Sequence, residues 1–222
     1  MAFFDPEGKF AKYGGKLWDM MWLNILCILS SLPIITIGAA QTALHYVMLK
    51  IVRDEETAIT KAYFHSFWMN LRQAIVLELI FAVILYLMAV SFRLITGMQT
   101  FSGRILFVIA AIFSAVLAGT SLWSGVVLSR YQGTVFQTIK LGWLMCMGHP
   151  IRTILMIFIE VIPIVCVLLQ PALVFPMVVL GFTLPGLGLA LLYHPVFLKL
   201  EEEKGAASEN KDQLESADAV SM

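Results

Sequence analysis

The sequence predicts an all-α integral membrane protein: a bundle of about five transmembrane helices with two amphipathic surface helices, six crossings being the alternative. Three observations carry this reading. The 222-residue chain is 59% hydrophobic and 14% charged, against roughly 45–50% and about 25% in soluble domains. Its mean hydropathy is +0.85, which leaves too little polar surface to cover a water-soluble fold. The apolar residues gather in long continuous runs, as helices that bond their own backbone inside lipid require, and do not alternate over about ten residues as barrel strands do.

The elements follow in order. Residues 1–16 are an interfacial segment in which Phe3, Phe4, Phe10 and Tyr13 interleave with Lys9, Lys12 and Lys16. Rings of this kind sit among headgroups while lysines reach outward; an unstructured tail is the alternative. Met1 to Glu7 carry no basic n-region and no small-residue cleavage site follows the first apolar run cleanly, so that run is expected to be retained. A transmembrane domain then fills 17–200. A span needs about 20 mostly apolar residues to cross a core of about 30 Å, and five stretches qualify: Leu17 to Ile37, Ala74 to Phe92, Ile105 to Ser129, Ile154 to Leu169 and Ala172 to Leu198. Only Gln170-Pro171 separates the last two.

Two segments between spans are amphipathic. Thr57 to Gln73 places Ile59, Ala62, Tyr63, Phe67 and Leu71 at helical spacing, and Gly133 to His149 does so with Phe136, Ile139, Leu144 and Met147. Both are expected to lie along a membrane surface or to cap the bundle. A shift of 80 residues brings Lys50 onto Arg130 and Arg72 onto Arg152, an architectural echo of span, surface helix and span. Residue identity under the shift is no better than chance.

Basic residues near span ends set orientation. Lys50, Arg53, Lys61 and Arg72 share one loop, Arg130, Lys140 and Arg152 another, and Lys199, Lys204 and Lys211 follow the last span. These loops and the C-terminus are expected on the cytoplasmic side of a bacterial cell membrane. Five spans then put Lys9, Lys12 and Lys16 outside, against the rule. The conflict disappears if the chain turns back at Ser30-Ser31-Leu32-Pro33 and descends again from Ala39 to Arg53, giving six crossings. Residues 201–222 turn abruptly polar and are expected to form a disordered cytoplasmic tail.

Several function classes are unsupported. Fifteen basic and fifteen acidic residues leave no positive field for nucleic acid. Cys27, Cys146 and Cys166 are far apart among apolar residues, and His45, His65, His149 and His194 form no ligand spacing, so neither a disulfide framework nor a metal is expected. No GxSxG, Walker or GxGxxG motif is present; no enzyme activity and no cofactor are expected.

Asn24-Ile25-Leu26, Ser31-Leu32-Pro33-Ile34-Ile35-Thr36-Ile37-Gly38-Ala39, Thr42-Ala43-Leu44 with Tyr46, and Lys50 with Val52-Arg53 form a specific pattern, continued by Phe64-His65-Ser66-Phe67 and Asn70-Leu71-Arg72-Gln73-Ala74. Over these first 75 or so residues the chain resembles the YesL-like family of bacterial membrane proteins. The resemblance implies a multi-pass protein of a kind often encoded beside sugar-uptake and polysaccharide-degradation systems. The family has no established biochemical role, so the resemblance implies a context and no catalytic residues.

The same motif has a physical reading. Pro33 interrupts the helical ladder and Gly38 removes a side chain nearby, while Ser30, Ser31 and Thr36 can rebond freed carbonyls. Pro33 and Gly38 are therefore the candidate kink, serving either a cavity or simple packing. Ionisable groups within spans raise a functional hypothesis. Glu78 and Glu160 qualify, about 9 and 12 Å inward of Arg72 and Arg152; they either line a polar pathway or bond neighbouring helices. Asn24, Gln41 and Arg93 are weaker candidates. Lys61, Arg72, Lys140 and Arg152 are candidate docking residues. The function expected is an auxiliary or scaffold subunit of a carbohydrate transport assembly, with the lipid bilayer and importer permease subunits as partners. The alternative is an independent small-solute transporter using Glu78 and Glu160.

Overall fold

A computed structural model describes residues 9–55, 58–97, 100–131, 133–174 and 180–220. Among them every regular element is helical. The helices are α1 (Lys9–Ser31), α2 (Ile37–Val52), α3 (Ile59–Thr96), α4 (Phe101–Arg130), α5 (Val135–Gly148), α6 (Pro150–Leu169) and α7 (Thr183–Val220), with short 3-10 turns at Ile34–Thr36 and Pro171–Leu173. Among the described residues five helical stretches are long and apolar enough to cross a membrane: Ile34–Val52, Ile59–Thr96, Phe101–Arg130, Pro150–Leu169 and Thr183–Glu202. The architecture is an all-α membrane bundle.

The first span follows the alternative reading, a turn at Ser30-Ser31-Leu32-Pro33, and not the single run. Leu17 to Ile37 is not one helix: α1 stops at Ser31 and α2 starts at Ile37. Pro33 takes an extended backbone at the head of the 3-10 turn, which a helix interior does not admit. The chain doubles back here, because Lys16 near the start of α1 pairs with Asp54 just beyond α2. That returns the lysines of α1 to the end of the molecule that holds Lys50 and Arg53, and the conflict over basic residues disappears. Leu32, Ile34 and Ile35 stand exposed at the tip of the turn.

The second span and the surface helix before it are a single helix. α3 runs 38 residues, about 57 Å, because no Gly or Pro interrupts it from Ile59 to Thr96. Its buried stripe passes without a break from Ala62, Tyr63 and Phe67 through Asn70 and Ala74 to Leu77 and Phe81. α5, in contrast, is a separate helix. Thr134 and Gln137 close a reciprocal capping box at its start, and His149 leaves helical geometry before Pro150. The face that packs against the bundle is the one with the small residues. Thr138, Gly142, Met145 and Cys146 are buried, while Phe136, Leu144 and Met147 are exposed. Small residues decide which side docks when lipid is as apolar as the large side chains. Gly142 lies so close to α4 that a Cβ there would meet Ser124 Oγ at 2.3 Å.

Within the expected fifth span, Ala172 to Leu198, the described helix that reaches the basic end starts at Thr183. Pro171–Leu173 is a 3-10 turn and α7 starts at Thr183; 175–179 lie outside the described residues. α7 then continues as helix to Val220, where a disordered tail is expected from Glu201. The Glu, Lys, Ala and Gln residues of that stretch are strong helix formers, and a helix already under way extends without a new nucleus. The expected interfacial segment lies outside the described residues up to position 8, and from Lys9 it is part of α1.

One carboxylate ties three helices at the basic end. Arg53 beyond α2 and Arg130 closing α4 both donate to Glu201 of α7, at 3.2 and 2.5 Å. Burial, and then the Glu201 carboxylate, push the neighbouring Tyr131 hydroxyl above its usual value. With these ends together, α2, α4 and α7 run toward the basic end, and α3 and α6 run away from it. The core lies on this side of the bundle, around Leu23, Val47, Tyr63, Trp123, Tyr193 and Phe197. The outer halves of α3, α4 and α6 expose large apolar side chains, as lipid-facing helices do.

Candidate functional site

The polar groups within the bundle converge on α2. Its N-terminus lies inside the fold, where the leading N–H groups of a helix need acceptors from elsewhere. Thr36, at the cap position, does not supply one to α2; its hydroxyl instead donates to the Ser30 and Pro33 carbonyls at 2.6 and 2.7 Å. Glu78 of α3 does so in its place, accepting from the Gly38 amide at 2.9 Å. A carboxylate at this position also meets the positive end of the helix dipole. Gly38 is glycine because α3 passes so close: a Cβ would lie 3.1 Å from Glu78 Oε2 and 3.3 Å from the Ala74 carbonyl oxygen. The hydroxyls of Ser30 and Tyr63 bond each other beside the turn.

A second inward helix end is closed the same way. Asn24 of α1 accepts from the amides of Phe182 and Thr183 at the start of α7, at 2.9 and 3.2 Å. Asn24 is fully buried. Two helix starts, 145 or more residues apart in the chain, thus depend on single side chains of other helices.

Glu160 sits elsewhere. It is half-buried on α6 and hydrogen-bonds to the Gln41 side chain of α2. Two clefts flank α2 and share Gln41 and His45. One, about 360 Å³, lies between α2, α6 and α7 and contains Glu160. The other, about 270 Å³, lies between α2, α3 and α4 and contains Glu78, Gly38 and Thr42. The structure therefore brings both glutamates to α2 but on its two sides, one in each cleft. His45 is 3% exposed, and its Nδ1 has no hydrogen-bond partner.

The remaining predicted residues are surface features. Pro33 is exposed at the turn. Lys61, Arg72 and Lys140 are exposed, whereas Arg152 is half-buried and not the exposed group expected. Lys61 belongs to a broad groove with Tyr46, Lys50, Phe64, His65 and Trp68. Sequence reasoning passed over His45 as one scattered histidine. Its signal was the spacing to Gln41, four residues and thus one helical face, which counts only once α2 is recognised as a helix of its own.

Residues 20–92 match a family model described as a protein of unknown function, DUF624. The matched stretch runs from α1 to near the end of α3 and holds the turn at Pro33, both capping side chains, Gln41 and His45. Glu160 and the whole of α4 to α7 lie beyond it. No curated protein and no solved structure matches the chain.

Proposed function

We propose that this chain is an accessory or scaffold subunit of a carbohydrate transport assembly in a bacterial cell membrane, with its basic end in the cytoplasm. The reading is carried by one observation: the first half of α3 exposes Lys61, His65 and Arg72 together with Phe64, Trp68 and Met69. Aromatic anchors beside cations are the composition of protein interfaces, and complementary charge sets the register and on-rate of docking. The YesL-like pattern, and the sugar-uptake setting that it implies, supply the class of partner: the permease subunits of an importer. The roles of Glu78 and Asn24 agree with this reading, since both close helix ends and neither is left free for ion coupling.

Affinity capture of the full chain in mild detergent, followed by mass spectrometry, tests it. Importer permease subunits are expected with the wild type and are expected to be lost with the double variant Lys61→Glu, Arg72→Glu. Recovery of the protein alone in several detergents, with solute transport by the pure protein in vesicles, overturns the reading. That outcome favours the second one, an independent small-solute transporter, which the two clefts beside α2 support.

A further inference from the structure

The cleft between α2, α6 and α7 has the chemistry of a binding site. Its walls are apolar, with Leu44, Ile164, Val167, Phe182 and Leu189 among them, and its polar side chains are Gln41, His45 and Glu160. A pocket of a few hundred Å³ with apolar walls and a few convergent polar groups is what small ligands occupy. Gln41 and His45 stand one turn apart on the same face of α2, and Gln41 already bonds Glu160. The buried Nδ1 of His45 has no partner, an expense that interiors rarely tolerate without an occupant. Pro163, also in the wall, has no N–H to offer the Ile159 carbonyl one turn back. The side-chain acceptors of the cleft are the carboxylate of Glu160 and the amide oxygen of Gln41, with the His45 ring beside them.

Charge narrows the class further. No lysine or arginine lines the cleft among the described residues, so a carboxylate at the middle of a membrane helix has no built-in counter-charge. An anion would find no open helix end, because Glu78 and Asn24 occupy the leading amides of α2 and α7. A sugar hydroxyl needs acceptors and donors alike, and the cleft is poor in donors. One carboxylate and one imidazole are fewer ligands than a metal site uses, and no group of three such side chains occurs among the described residues.

We propose that this cleft binds a monovalent organic cation with a primary ammonium head and an apolar body, the head held by Glu160 and Gln41 beside the His45 ring. An ammonium is a pure donor with three N–H groups, which suits these acceptors, and its charge neutralises Glu160. The proposal takes Glu160 as a binding group rather than a packing group. It requires no transport, so it stands or falls apart from the carrier reading.

Calorimetric titration of the full chain in lipid nanodiscs at neutral pH, with benzylammonium as the probe and benzyl alcohol as its neutral counterpart, tests the site. Saturable binding is expected for benzylammonium and none for benzyl alcohol or maltose. Glu160→Gln keeps the shape and removes the charge, and is expected to weaken binding about tenfold or more, the scale of a charge-assisted hydrogen bond. Val167→Trp fills the cleft without touching its polar groups and should abolish binding, which keeps the test valid if Glu160→Gln does not fold. Glu202→Gln, exposed on α7 outside the cleft, should change nothing. Benzylammonium binding without transport in vesicles supports the site, which requires no transport. Equal binding of benzyl alcohol, saturable maltose binding in place of the amine, or amine binding indifferent to both Glu160→Gln and Val167→Trp would overturn the proposal.

Discussion

Glu78 and Glu160 look equivalent along the chain, each a lone acid in an apolar helix, yet their neighbours give them different tasks. Glu78 is fixed by the Gly38 amide and substitutes for a local cap that Thr36 does not provide. Loss of a capping acceptor costs about 0.5–2 kcal/mol, and an N–H buried without a partner costs about 1–3 kcal/mol. Glu78→Leu should therefore lower stability by about 1–2 kcal/mol, read as an earlier thermal unfolding transition in detergent. Glu78→Gln keeps an acceptor oxygen and should lose less. Equal unfolding of Glu78→Leu and wild type would remove the capping role. The sequence showed that both acids lie at depth, because hydropathy and distance from the nearest arginine are local properties. It did not show which acid meets a helix end, because that depends on where α2 begins, and α2 begins at a turn built from apolar residues.

The same cause explains most of the differences between expected and observed elements. A hydropathy window reads Leu32, Ile34 and Ile35 as membrane interior, although they form the exposed tip between α1 and α2. Polarity marks turns only where turns meet water. The window also divided α3 in two, since its composition changes near Ala74 while its backbone does not. Helix ends with explicit chemistry were legible: Arg130 closing α4, and Gln170 before Pro171. The start of α6 at Pro150, four residues before the expected Ile154, was not, and neither was the small-residue face by which α5 docks. Contact between α4 and α5 depends on Gly142, where a Cβ would lie 2.9 Å from the Ser124 backbone nitrogen and 2.3 Å from its Oγ. Gly142→Ala should push the two helices apart and destabilise by about 1–3 kcal/mol, the usual scale of overpacking. Gly125→Ala, on the same α4 but with nothing within 4 Å of its Cβ position, should unfold at or above the wild-type temperature, since alanine is the better helix former. Paired thermal melts decide it, and equal shifts for both variants would contradict the packing described.

At the scale of the whole molecule, the basic residues and the ion pairs specify one arrangement in the membrane. Lys16 meets Asp54, and Glu201 meets Arg53 and Arg130, so the start of α1 and the ends of α2, α4 and the apolar part of α7 share one end. Lys50 lies on that last turn of α2 and Lys199 just before Glu201. The opposite end, where α3 passes to α4, carries Arg93 and Arg104. The positive-inside rule counts lysine and arginine close to span ends, and under the function proposed above the richer end faces the cytoplasm. Single cysteines placed at Lys16, Lys61, Lys140 and Lys211 should all resist a membrane-impermeant thiol reagent in intact cells and react after permeabilisation. A cysteine at Leu32, on the tip between α1 and α2, should behave differently from all four. If α1 and α2 formed one straight span, position 16 would label from outside while 61 stayed protected. Such a pattern would restore the single first span and separate Lys16 from Asp54. Protection of 16, 61, 140 and 211 together is the result that the doubled-back chain requires, because the turn at Pro33 puts position 16 on the side that the other three share.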